Sequence, residues 1–204
     1  DRAGQGGVPV GFDNARAAKA MAERVLALGH RHLAMIAGLT TGNDRATARV
    51  AGVRAALGYR GLALAPERLI EAPYTLVAGE AAFATLMAQD PRPTAVLCGN
   101  DVLAAGALRA ARALGLAVPG AVSITGFDDI DLAEAIAPGL TTVHVPHRRM
   151  GRFAAGALLA LRAGQAVEAR PLETHIVMRA SLGGPPAYQS RPMGSGTAST
   201  SRKP

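Results

Sequence analysis

Apolar residues along this chain fall into two alternating patterns. Residues 14–28 (NARAAKAMAERVLAL) put Ala18, Met21, Val25 and Leu28 on one helical stripe, with Asp13 or Asn14 as N-cap and Gly29 as the stop. LAMIAG at 33–38 is a short apolar run closed by glycine, the pattern of a buried strand, and 45–57 returns to helical spacing through Val50, Val53 and Leu57. The cycle repeats: strands at 68–72, 94–98 and 122–125 alternate with helices over 78–89 and 101–114. Continuous apolar strands between helices predict parallel sheets covered on both faces, so the fold class is α/β, doubly wound. After 126 the rhythm breaks into a loop, a strand at 141–145, a helix over 147–163 and a late alternating strand at 172–178, which suggests two lobes sharing one chain.

Composition narrows the class. At 204 residues and 49% apolar, the chain can bury a sizeable core. No stretch reaches the ~18 unbroken apolar residues of a spanning helix, and the start, DRAGQGGVPV, lacks the order of a secretory signal, so a soluble cytoplasmic protein is expected. The single cysteine, Cys98, allows no internal disulfide and sits in an apolar strand with no adjacent base, the pattern of an inert core residue. A net charge of +7 invites a nucleic-acid reading, but residues 183–204 carry three of the cations and no acid, leaving +4 for the rest. Seven aromatics and no tryptophan offer no stacking platform for bases. From Gly183 onward, turn formers without hydrophobic period predict an unfolded tail over 183–204.

Open doubly wound sheets bind ligands beyond the carboxyl ends of their strands. Those ends carry Asp13, Arg49, Tyr74, Asn100-Asp101 and Asp128-Asp129. Carboxylate, guanidinium and amide together supply the donor and acceptor forks that hold a hydroxyl-rich molecule. Each also has a plainer use: Asp13 and Asn100 fit as helix caps, Arg49 as a surface residue, and Asp128-Asp129 as a turn. Catalytic motifs are missing: there is no GxxxxGK[ST], GxGxxG, GxSxG or HExxH. The adjacent carboxylates Asp128 and Asp129 diverge in any strand or turn, so one is expected to meet a ligand and the other to bond structurally. His30 and His32 have no neighbouring acid or cysteine to complete a metal set. Neither enzyme activity, cofactor nor metal is expected.

The segments FDNARAAKAMAERVLALGHRHLAMIAG, RVAGVRAAL, PTAVLCGNDVLAAGALRAARALGLAVPGAVSITGFDDIDLA, PGLTTVHVP and LETHIVMRAS resemble, in order and spacing, the effector-binding region of the lactose/galactose-repressor family of bacterial transcription regulators. The resemblance runs from about residue 8 to 181 and implies a two-lobed fold of the type I periplasmic-binding-protein kind, with one lobe incomplete. It implies a small effector between the lobes, often a sugar or nucleobase, contacted by Asp13, Arg49, Asn100 and Asp128, with Tyr74 and His147 lining the cleft. Leu97 stands where some relatives use an aromatic ring. The resemblance further implies a homodimer, with operator DNA bound only through an N-terminal headpiece that these 204 residues do not include. The expected division is 1–32 with 138–167 as the partial N-terminal lobe, and 33–137 with 168–182 as the C-terminal lobe. On that division, the helices over 14–28 and 147–163 are expected to expose apolar faces. A sugar-binding protein feeding a membrane transporter uses the same fold and is the alternative.

Overall fold

The computed structural model describes residues 8–169 and 171–186. Among these residues six α-helices and six strands follow in the order α1 (Asn14–Ala27), β1 (Leu33–Gly38), α2 (Asp44–Tyr59), β2 (Leu69–Ala72), α3 (Leu76–Met87), β3 (Ala95–Cys98), α4 (Asp101–Ala113), β4 (Ser123–Thr125), α5 (Asp131–Ala135), β5 (Thr142–His144), α6 (His147–Arg162) and β6 (His175–Val177), with one 3-10 turn, Pro66–Arg68, before β2. Four of the strands form a parallel sheet in the order β2-β1-β3-β4. Every residue of β1 and β3 is buried, which is why these strands read as unbroken apolar runs.

Each face of the sheet has its own core. One is built from α1, α2 and the side chains of Leu33, Met35 and Ala37, the other from α3, α4 and those of Ala34 and Ile36, as the alternation of side chains along β1 requires. Glycines let the helices of each pair approach. A Cβ at Gly52 of α2 would strike the Ala15 carbonyl of α1, and Cβ atoms at Gly79 and Gly106 would strike backbone across the α3–α4 contact.

Helix α1 therefore corrects the expected lobe boundary at 32. Its stripe of Ala17, Ala18, Met21, Ala22, Val25 and Leu26 is buried with β1 and α2 in a single core, because the sheet face needs a second helix to cover it. It exposes no apolar face. Helix α6 does: only Ala157 is buried, while Leu158 and Leu159 are 61% and 65% exposed. It stands between β5 and β6, an antiparallel pair whose register joins Thr142 to Val177 and His144 to His175.

The tail boundary also moves. Residues 183–186, assigned to the tail by their turn formers, are fastened to the body; residues 187–204 lie outside the described residues. Fully buried His30 makes the fastening, with Nε2 2.9 Å from the Gly183 carbonyl and Nδ1 2.9 Å from the Thr94 hydroxyl. A carbonyl only accepts, so Nε2 carries the proton and donates, and in the neutral ring Nδ1 accepts from Thr94. Burial pushes the His30 pKa below its usual value, against the smaller opposing effect of the Gly183 bond. The unfolded chain then binds more protons than the folded one once pH drops below about 6.5, and stability falls with pH there. Urea unfolding at pH 7.5 and 5.5 is expected to show a loss of about 1 kcal/mol from this group. His30→Gln removes that part of the pH dependence; an unchanged dependence would count against His30 as its source.

Candidate ligand site

Strands β1, β3 and β4 end side by side, and the segments leaving them meet around one side chain, Arg49. It lies on the inward stripe of α2 with Ala46, Val50, Val53 and Leu57, close to the helix start that Asn43 caps. Only 7% of Arg49 is exposed. Nε donates to Asn14 Oδ1 at 2.9 Å, Nη1 donates to the Gly99 carbonyl at 2.5 Å, and Nη2 is 3.4 Å from Asp128 Oδ1. The guanidinium lies 3.8 Å from the centroid of Phe127, which stacks in turn on Phe12 at 6.1 Å. These contacts use three of its five N–H groups and lock the plane of the fork. Burial lowers its pKa, and the Asp128 charge and the Tyr74 hydroxyl oppose that shift.

Asp128 and Asp129 part company. Both have positive φ, 106° and 55°. The Asp128 carboxylate turns toward Arg49; burial raises its pKa, while Arg49 and then His147 pull it back. Asp129 turns away, with Oδ2 2.8 Å from His144 Nδ1 and Oδ1 2.8 Å from Arg179 Nη2. Burial works to raise its pKa, but the hydrogen bonds from His144 and Arg179 outweigh it and the net shift is downward. One carboxylate turns to Arg49 and the other to His144 and Arg179, so the two side chains diverge as expected of adjacent residues in a turn.

The remaining expected residues divide. Tyr74, exposed, lays its ring over Gly38 at the tip of β1, where any Cβ would collide with it. His147 opens α6 on the exposed side and acts on Asp128 through charge. Asp13 is exposed and caps α1 by accepting from the Arg16 N–H at 2.9 Å; its neighbour Asn14 is the residue that reaches Arg49. Asn100 likewise caps α4 through Leu103 N–H at 2.9 Å, and the adjacent Gly99 carbonyl meets the guanidinium. Leu97 is buried in the core, and the ring at the site comes from Phe127. Asn14, Gly99 and Phe127 were missed in the sequence, although GFDN at 11–14 and GFDD at 126–129 repeat one tripeptide in two segments that meet here; the first of these follows no strand among the described residues, contrary to the expectation that Asp13 ends one. Among the described residues no three metal-ligating side chains cluster, and burial pushes the Cys98 thiol up, out of reach of thiolate chemistry.

The periplasmic binding protein-like domain family matches residues 22–182. A LacI family transcriptional regulator from Mycobacterium smegmatis superposes with a TM-score of 0.80 at 31% identity, over 89% of this chain and 68% of that one. The chain belongs to the periplasmic binding protein-like family, as a LacI-type effector-binding region. The HTH-type transcriptional repressor PurR of Erwinia tasmaniensis is 37% identical over 147 residues, 72% of this chain and 43% of that protein. A transcriptional regulator solved as a CelR–cellobiose complex is 31% identical with a TM-score of 0.77, over 83% of this chain and 52% of that one. The chain thus spans less than half the length of the PurR relative. Among the described residues no helix is long and apolar enough to cross a membrane.

Proposed function

We propose that this chain is the effector-binding portion of a DNA-binding transcriptional repressor, holding a small polar molecule, a sugar, against Arg49 and Asp128. The observation that carries it is a buried guanidinium, fixed on three sides, facing a carboxylate at the tips of parallel strands. Such a fork offers two N–H groups beside a two-oxygen acceptor, which suits vicinal hydroxyls. Tyr74 and His147 wall the cleft; Asp13 and Asn100 contribute through the helix ends they cap. Helix α6 and the β5–β6 pair lead into a second lobe, built in part from 138–167, that closes over the ligand. The regulator works in the cytoplasm as a homodimer and reads its operator through a headpiece outside these residues. It performs no catalysis. The ligand acts by favouring one lobe arrangement, since equal affinity for both would shift nothing.

A thermal-shift screen of cellobiose, galactose, adenosine and leucine tests this reading. Ligand at a hundred times its Kd stabilises by about 2.7 kcal/mol, a rise of roughly 5–11 °C for a domain of this size. Asp128→Asn keeps a residue that tolerates positive φ and removes only the charge. It is expected to cost about 2 kcal/mol of binding, roughly thirtyfold in Kd. A ligand that shifts the wild type and Asp128→Asn equally would remove Asp128 from the site.

A further inference from the structure

Asp101 makes no direct contact with Arg49 and yet is fully buried at the first position of α4. A buried carboxylate persists only where partners compensate it. Its N–H donates to the Phe127 carbonyl at 2.9 Å, its Oδ2 accepts from the Ile130 N–H at 2.9 Å, and its Oδ1 accepts from the Thr142 hydroxyl at 2.6 Å. The first two contacts bracket Asp128 and Asp129, the described non-glycine residues with positive φ. Such backbone costs on the order of 1–3 kcal/mol per residue and holds only where its surroundings impose it. Gly126 makes room for the arrangement: a Cβ there would strike Asp101 Oδ1 and come within 2.6 Å of the Leu140 side chain.

We propose that Asp101 is a positioning residue, gripping the Asp128–Asp129 turn from both ends, aiming the Asp128 carboxylate at Arg49 and tying that turn to β5. The consequence for ligand affinity rests on the function proposed above; the geometry does not. Through Thr142 the grip reaches the strand that leads into α6, so a ligand that shifts Asp128 also loads β5. Burial raises the Asp101 pKa to about 6, and the Asp128 and Asp129 carboxylates add to the rise while Thr142 and Ile130 oppose it; the Cys98 thiol is the neighbouring group on β3. Protonation weakens charge-assisted bonds to the turn, so the grip loosens as pH falls through about 6.

NMR of the ligand-free protein tests this directly. Amide couplings at 128 and 129 report φ, and exchange of the Arg49 Nε–H reports the site. In Asp101→Ala the Asp128 coupling is expected to rise toward that of extended backbone, with Arg49 Nε–H exchange at least tenfold faster. Asp101→Asn, whose oxygen still accepts from Ile130 and whose NH2 donates to Thr142, is expected to stay within twofold of wild type and to lose the step in the Asp128 amide signal near pH 6. Thr142→Val, which cuts the Asp101–Thr142 bond and leaves the Asp128 N–H bond to the Val143 carbonyl and the Asp129–His144 contact in place, is expected to speed Asp128 amide exchange several-fold. A folded Asp101→Ala protein with unchanged couplings overturns the proposal. If that variant does not fold, unchanged Asp128 exchange in Thr142→Val overturns it. A failed ligand screen leaves these measurements intact, so it counts against the proposed function alone.

Discussion

Arg49→Met is expected to abolish detectable ligand binding and to lower stability by about 3 kcal/mol, a drop in Tm of roughly 6–12 °C. Methionine preserves much of the side-chain length while removing every N–H. Asn14 Oδ1 and the Gly99 carbonyl then lose their donor, and the Asp128 carboxylate, whose pKa burial already raises, loses the charge that opposes that rise. Each buried acceptor left unpaired costs about 1–3 kcal/mol. Water reaches Asp128, whose side chain is 23% exposed, so the Coulombic part is smaller than for a fully buried pair. For that reason most of the loss is assigned to the two neutral acceptors and to the lost contact with Phe127. Urea unfolding of Arg49→Met, Asp128→Asn and the double variant measures the coupling: the double is expected to be less damaging than the sum. A single Arg49→Met protein within 0.5 kcal/mol of wild type would mean that the guanidinium is not the organising group of the site.

Gly106→Ala is the other large effect, and two physical forces oppose each other in it. Helix propensity favours alanine over glycine by about 1 kcal/mol in a helix interior. Against that, the new methyl would meet the Leu76 carbonyl and lie 3.0 Å from both Glu80 N and Gly79 Cα, all backbone atoms of the neighbouring helix that no rotamer change can move. Overpacking against side chains costs about 1–3 kcal/mol, and against backbone the whole helix must shift. A net loss of about 3 kcal/mol is expected, with α3 and α4 separating enough to disturb the core around Phe83 and Leu103. Gly58→Ala is the control: exposed near the end of α2, with nothing within 4 Å of its Cβ, it is expected to gain about 0.5–1 kcal/mol. If both alanines stabilise, the close approach of α3 and α4 is wrong.

Much of the architecture was legible before any coordinates. The stripe at 14–28 became α1 at Asn14–Ala27, the run at 101–114 became α4 at Asp101–Ala113, and the apolar segments at 33–38 and 94–98 became the central strands. Those patterns are local: helix period and strand burial follow from which faces must leave water. The site was half legible. Arg49 and Asp128 stood out because charged groups at strand tips are few, and Arg49 also falls on the buried stripe of its own helix. Asp13 and Asn100 stood out for the same reason, but local hydrogen bonding claimed them, since a carboxylate or amide one residue before a helix finds N–H groups within reach at once.

By itself, then, the amino-acid order determined the α/β class, the helix and strand limits to within a few residues, and which charged residues stand near the strand tips. Only the tertiary structure decided that α1 belongs to the sheet, that Asn14 and the Gly99 carbonyl hold Arg49, and that Asp101 grips the turn at Asp128. The reason is the range of the forces. Periodicity and capping act within about four residues. The partners of Arg49 come from positions 14, 99 and 128, and those of Asp101 include 127, 130 and 142; such groups become neighbours only after the strands have paired and the helices have docked.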